Sequence, residues 1–117
     1  MAITVTVRAL YQDRLIAMAN TTQFTGGGQV KTLVDKITFN NITISSYVSF
    51  SVFIVPSGGA ASDSNCLIKN RVLAPLQTDT CPEIVGQTLQ PGDFIVTASS
   101  GANQLSSRAS GREVTIS

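Results

Sequence analysis

A chain of 117 residues has room for one compact domain and little room for a second hydrophobic core. Its composition, 43% hydrophobic and 13% charged, excludes disorder driven by charge repulsion, and a formal net charge of +1 excludes a large field that would gather nucleic acid or anionic membrane. So sparse a charge suits a subunit that spends much of its surface against neighbours.

The chain opens with Ile3-Thr4-Val5-Thr6-Val7-Arg8, whose period of two predicts a strand with Ile3, Val5 and Val7 on one side and Thr4, Thr6 and Arg8 on the other. Leu15 to Ala19 satisfies helix propensity as well, but a short strand is preferred because Asn20-Thr21-Thr22 and Gly26-Gly27-Gly28 punctuate the residues after it. Leu33 to Phe39 predicts a strand in which Leu33, Asp35, Ile37 and Phe39 share a face, with Asn40-Asn41 as a turn and Ile42-Thr43-Ile44 as a further short strand.

Tyr47 to Val55 carries the clearest strand pattern. Val48, Phe50, Val52 and Ile54 form a wholly apolar face, while Tyr47, Ser49, Ser51, Phe53 and Val55 form a mixed one that needs a loop or another chain to cover it. Pro56-Ser57-Gly58-Gly59 ends the strand and opens a polar loop through Asn65. Leu67–Leu73 and Leu76–Val85 are expected as two more strands, limited by Pro75 and Pro82. Leu89 to Asp93 reads as a turn before a strand at Phe94–Ala98 with Phe94, Val96 and Ala98 inward, and Leu105–Ser117 as a final extended region interrupted near Gly111. Short strands separated by turns every eight to twelve residues or so, with no periodic helix, predict an all-β antiparallel β-sandwich, jelly-roll-like.

Little in the chain points to chemistry. Histidine is absent, which removes Ser-His-Asp and Cys-His arrangements and histidine metal sites. Asp79 and Glu83 are close in sequence, but Pro82 lies between them and ordinary surface roles are the simpler reading. Cys66 and Cys81 lack the spacing of a redox pair or zinc cluster, and two reduced structural thiols are expected. Gly26 to Thr32 resembles a phosphate loop only superficially, since Val30 and not a glycine stands immediately before Lys31. Asp63 and Asp93 lack an ordered array of oxygen ligands. Lys31, Lys36, Lys69, Arg71, Arg108 and Arg112 are scattered, without interleaved aromatics, so no direct nucleic-acid contact is expected. No apolar run is long enough for a membrane helix, and Met1 to Leu10 lacks the pattern of a secretory signal, so a soluble chain made without export is expected. The candidate protein-interface residues are Tyr11, Phe24, Tyr47, Phe53 and Val55, with local core packing as the plain alternative.

From Tyr47 onward the order of features resembles the small β-sandwich structural proteins of tailed bacteriophages. The resemblance rests on Phe53-Ile54-Val55-Pro56-Ser57-Gly58-Gly59-Ala60-Ala61-Ser62-Asp63, on Glu83 to Asp93 with its Pro91-Gly92-Asp93 turn, and on the closing Gly111-Arg112-Glu113-Val114-Thr115-Ile116. With the strand from Leu33 it covers most of the chain, and it is more specific for the fold than for a place in the virion. With the length it fits a single sandwich domain over residues 1–117; residues 1–32 and Cys81 lie outside the resemblance, and residues 1–32 are a candidate N-terminal arm or partner-binding extension. The function it implies is non-enzymatic: capsid decoration or cement, with a neck, tail or baseplate connector, or a receptor- or glycan-binding spike or fibre domain, as alternatives. Expected partners are the major capsid protein or other virion proteins and further copies of the chain, a trimer among the compatible states. Its place would be the virion, assembled in the host cytoplasm, with no catalytic residue, metal or cofactor required.

Overall fold

The computed structural model describes residues 3–116. Among these, nine strands form two antiparallel sheets: β1 (Ile3–Leu15), β2 (Thr21–Thr25), β3 (Val30–Asn41), β4 (Val48–Val55), β5 (Cys66–Leu73), β6 (Thr78–Asp79), β7 (Thr88–Leu89), β8 (Phe94–Ser99) and β9 (Leu105–Ile116). Sheet A runs β1-β9-β3-β6, with β7 also pairing β3; sheet B runs β2-β8-β4-β5. Successive strands thus alternate between the sheets through the first half of the chain and interleave again in the second, which is the jelly-roll form of the β-sandwich. Residues 3–32, the candidate arm, supply β1, β2 and the start of β3, all paired within these sheets.

The core lies between the sheets. Val34, Ile37 and Phe39 of β3, Val48, Phe50 and Val52 of β4, Ile68, Leu73, Ile95 and Leu105 are all buried there, and Phe39 stacks on Phe50 with ring centroids 4.1 Å apart. Within β4 the expected core face is therefore observed. A second, smaller cluster sits on the other side of sheet B, where Phe53, Val55 and Val96 are covered by Ala61, Cys66 and Phe94. The polar loop after Pro56 thus folds back over the mixed face of β4.

Several local expectations change. In β3 a register shift between Val34 and Lys36 inserts one residue, so Val34 joins Ile37 and Phe39 in the core and Leu33 turns outward. Asn40 and Asn41 are not a turn but the last paired residues of β3, opposite Ser106 and Leu105. The turn begins after them and is built by Asn41: its buried amide donates to the Ser46 and Leu73 carbonyls at 2.8 and 3.1 Å, and its Oδ1 accepts from the backbone and hydroxyl of Thr43. This network replaces the short strand expected at Ile42–Ile44.

Leu15 to Ala19 is not a strand of its own: Leu15 ends β1, and Thr21 and Thr22, expected to be punctuation with Asn20, open β2. That strand buries Gln23 and Phe24, and Gln23 Nε2 donates to Thr97 Oγ1 at 2.9 Å. In β8 the inward residue is Ile95, whereas Phe94 and Val96 face the outer cluster; the strand is covered on both sides, so its alternation does not mark a face. Leu76–Val85 forms only the two-residue β6 and a 3-10 turn at Pro82–Ile84, because Cys81 takes a left-handed conformation (φ 50°) with its N–H bonded to Asp79 Oδ1 at 2.8 Å, and Pro82 has no N–H for a ladder. β9 is continuous through Gly111, where a Cβ would drive into the Leu33 carbonyl.

Two buried groups carry measurable consequences. The Thr32 hydroxyl is buried without a hydrogen-bond partner among the described residues, and an unsatisfied hydroxyl costs about 1–3 kcal/mol. Thr32→Val is expected to raise the urea midpoint by an amount equivalent to about 1 kcal/mol; an unchanged or lower midpoint would show that the hydroxyl is satisfied in solution. Burial pushes the Cys81 thiol from its ordinary 9.0 up to about 12, and burial also raises the Tyr11 phenol. Below pH 9 folded and unfolded chains hold the same proton on Cys81, so stability there is indifferent to it. Above that pH the unfolded Cys81 thiol ionises first and lowers stability by about 1.4 kcal/mol per pH unit as a limiting slope, and Tyr11 steepens the fall once the unfolded phenol begins to ionise near pH 10. Urea titrations from pH 7 upward read this directly, and a flat midpoint through pH 11 would contradict it.

Candidate interface surfaces

The five candidate interface residues divide sharply. Tyr11, Phe24, Phe53 and Val55 are buried within the chain itself, whereas Tyr47, just before β4, is 71% exposed. Tyr11 shares a hydrogen bond of 2.9 Å with Ser107 Oγ inside the sandwich. The Arg8 guanidinium covers Phe24, 5.4 Å from its ring centroid. Phe53 and Val55 belong to the outer cluster beneath the loop.

The groups weighed for chemistry are held in structural roles. Arg71 binds both carboxylates that looked like a pair: its Nη1 lies 3.0 Å from Asp79 Oδ2 and 3.0 Å from Glu83 Oε1, and its Nη2 meets Glu83 Oε2. This guanidinium clamp ties β5 to the irregular segment after β6. Cys66 and Cys81 are free thiols, each with its pKa raised mainly by desolvation; both therefore stay protonated at neutral pH and are poor nucleophiles or metal ligands. No group of three or more potential metal-ligating side chains occurs among the described residues. Gly26–Gly28 leads into β3 rather than a helix, so nothing there aims amide dipoles at a phosphate. Of the six scattered cations, Lys69 pairs with Asp63 at 2.6 Å, Arg112 with Asp35 at 2.9 Å, and Arg71 is in its clamp.

What remains is surface. The molecule measures 54 × 26 × 20 Å, and apolar residues are exposed at both ends of the long strand β3. Near its start, Ile3, Val5 and Val7 of β1 are 65%, 55% and 75% exposed. The register sets Val5 beside Val114 and Val7 beside Arg112 and Leu33, all on the outer face of sheet A. The alternation of β1 places Ile3, Val5 and Val7 on one side; the structure turns that side to solvent and lays the still exposed Arg8 over the Phe24 ring on the other. Past the end of β3, the turn leading to β4 exposes Ile44 (84%) and Tyr47, with Leu76 exposed after β5. The alternation of Ile42–Ile44 hid this second patch, because it read as a paired strand.

Sheet B adds a shallow depression of about 290 Å³ on its outer side, lined by Ser49, Ser51, Lys69 and Asn70 together with the apolar Met18 and Phe53, among others. A register irregularity in β5, with Asn70 left-handed at φ 51°, opens it. The Asn70 N–H donates to Ser51 Oγ at 3.0 Å, and the Ser49 N–H to Ser100 Oγ at 2.9 Å, so the lining hydroxyls are held in place.

By sequence, no family description and no curated protein matches the chain. By structure, it is similar to a chain of the infectious bursal disease virus particle, in the crystal structure of the T13 particle, with a TM-score of 0.56 at 14% identity over 97% of this chain and 31% of that one. The infectious bursal disease virus VP2 subviral particle gives a TM-score of 0.44 at 12% identity, over 97% and 33% of the two chains. The chain therefore spans about a third of the length of the solved chains it matches. At this identity the likeness is one of fold: a jelly-roll sandwich of the kind also built into an icosahedral virus particle.

Proposed function

We infer that the protein is a non-enzymatic structural component of a virion, and that it decorates or cements the head of a tailed bacteriophage by bridging neighbouring subunits. The observation that carries this reading is the placement of exposed apolar patches at both ends of a stiff, elongated sandwich, Ile3/Val5/Val7 at one and Ile44/Tyr47 at the other. A bridge needs two contact surfaces held at a fixed separation, and two sheets locked by a packed core supply that rigidity. The carboxylates weighed for catalysis are occupied by Arg71 and the thiols are held protonated, which favours binding over turnover. The fold likeness to a chain of a virus particle supports the same reading, and the sequence features from Phe53 onward support the tailed-phage assignment. Individual contacts can be weak, because repetition over a shell multiplies them.

A second reading, recognition of a glycan receptor, is favoured by the depression on sheet B, where serine hydroxyls and Asn70 lie beside the apolar Met18 and Phe53. The two diverge in copy number and in solution behaviour.

Cryo-electron microscopy of purified particles is expected to show the chain repeated across the head, and Tyr47→Asp with Ile44→Asp should lower its occupancy on heads several-fold while leaving the unfolding midpoint nearly unchanged. A small ring at the neck, tail or baseplate would make it a connector, and absence from purified particles would remove the virion reading. Selective glycan binding by the isolated protein, lost on Asn70→Ala, would put receptor recognition first.

A further inference from the structure

A two-sheet sandwich has four edges, and three of them here are closed to further pairing. The far edge of β3 is covered towards both its ends, by β7 at Thr32 and Leu33 and by β6 at Phe39 and Asn40, which leaves too short a stretch between them to take a further strand. β5 is broken by the Asn70 irregularity and flanked by Lys69 and Arg71, while β2 is five residues long with a register shift between Thr22 and Phe24. Irregularity, charge and shortness are the devices that keep sheet edges from adding strands. The outer edge of β1 is different. From Ile3 to Ala9 its pairing with β9 is regular, the first shift coming after Ala9, and no other strand lies beside it among the described residues. Ile3 to Val7 carries no charge and no proline. The first cation, Arg8, is drawn away by Glu113 at 3.2 Å and by the Phe24 ring.

We propose that this edge pairs with the same edge of a second copy, β1 against β1 in antiparallel register about a two-fold axis at Val5. The sequence Ile-Thr-Val-Thr-Val has the same pattern in reverse. About Val5, Ile3 meets Val7 of the second copy, Thr4 meets Thr6 and Val5 meets itself, so each face of the joined sheets continues with its own chemistry: a branched aliphatic ladder on one face and an equally exposed threonine ladder on the other. In this register the two Arg8 residues lie beyond the overlap, at its opposite ends. Stacking two copies face to face through sheet A would instead bring Lys31, Lys36, Arg108 and Arg112 against their counterparts, with Asp35 the acidic residue among them; the edge avoids that repulsion. A pairing of about five residues buries much less than the roughly 800 Å² per partner of a stable interface, so the pair forms at high local concentration and is suited to repeated assembly. This inference rests on reading the chain as an assembly subunit, but it concerns the free protein.

The test uses the full chain in a Cys66→Ser background, which leaves the fully buried Cys81 as the native thiol. Val5→Cys is expected to give a disulfide-linked dimer under mild oxidation. Val7→Cys, on the same face but displaced from the axis, should give several-fold less. Sedimentation of the wild type at hundreds of micromolar should show reversible dimers, and Val5→Lys should weaken them about tenfold or more, with the unfolding midpoint nearly unchanged because the side chain is exposed. Equal cross-linking at both positions, a wild type monomeric throughout, or a Val5→Lys chain that dimerises as well as wild type would each overturn the proposal. None of these measurements involves particles: failure here leaves head attachment standing, and a chain that dimerises yet is missing from particles overturns attachment alone.

Discussion

The contact on which the rest depends is the stack of Phe39 on Phe50, one ring from each sheet. A sheet with an apolar face cannot stand alone in water, and the two strands that carry these rings are consecutive in the chain. Their connection is fixed by Asn41, buried at the end of β3 with both ends of its amide bonded. The chain leaves one sheet and enters the other at a defined angle, and the two aromatic rings meet. Around them Val34, Ile37, Val48, Val52 and Ile95 close the space between the layers.

The strands most plainly written in the sequence are those with one buried face and one wet one. β4 could be read down to its inward residues, and the ends imposed by Pro56 and by Pro91-Gly92-Asp93 fall where turn chemistry puts them. Legibility fails where a second physical demand is superimposed. An extra residue in β3 reverses the phase of the pattern around Asp35, which no count of twos can anticipate. Phe94 and Val96 look inward because they are apolar, yet they are covered from outside by a loop whose destination lies in tertiary structure. Cys81 adopts a conformation rare for a side chain of its kind, stabilised by an Asp79 carboxylate two residues back, and that interrupts an apparently good strand.

The surfaces were the least legible part. Aromatic side chains are reasonable candidates for contacts between proteins, but a small sandwich has apolar clusters to fill, and it uses Tyr11 and Phe24 in the core and Phe53 in the cluster under the loop. The apolar area left outside is mostly aliphatic, in Ile3, Val5, Val7 and Ile44 among others, with Tyr47 the aromatic that stays exposed. The pattern of β1 reported that one side was apolar without saying which side faced the second sheet. Arg8 decides it: a guanidinium over Phe24 and against Glu113 is better placed at the inner rim than an exposed valine would be.

The pairing of Ile3 with Ile116 at one end of β9 has a mechanical consequence. Ladder hydrogen bonds lie across the strands, so tension applied between those two residues would open β1 from β9 one bond after another, like a zip. Tension applied from the Val5 end of the molecule to the Tyr47 end runs along the long strands and loads many bonds at once in shear. The same sandwich is therefore compliant to peeling at one corner and stiff along its length, the direction in which a strut between two anchored tips would be pulled.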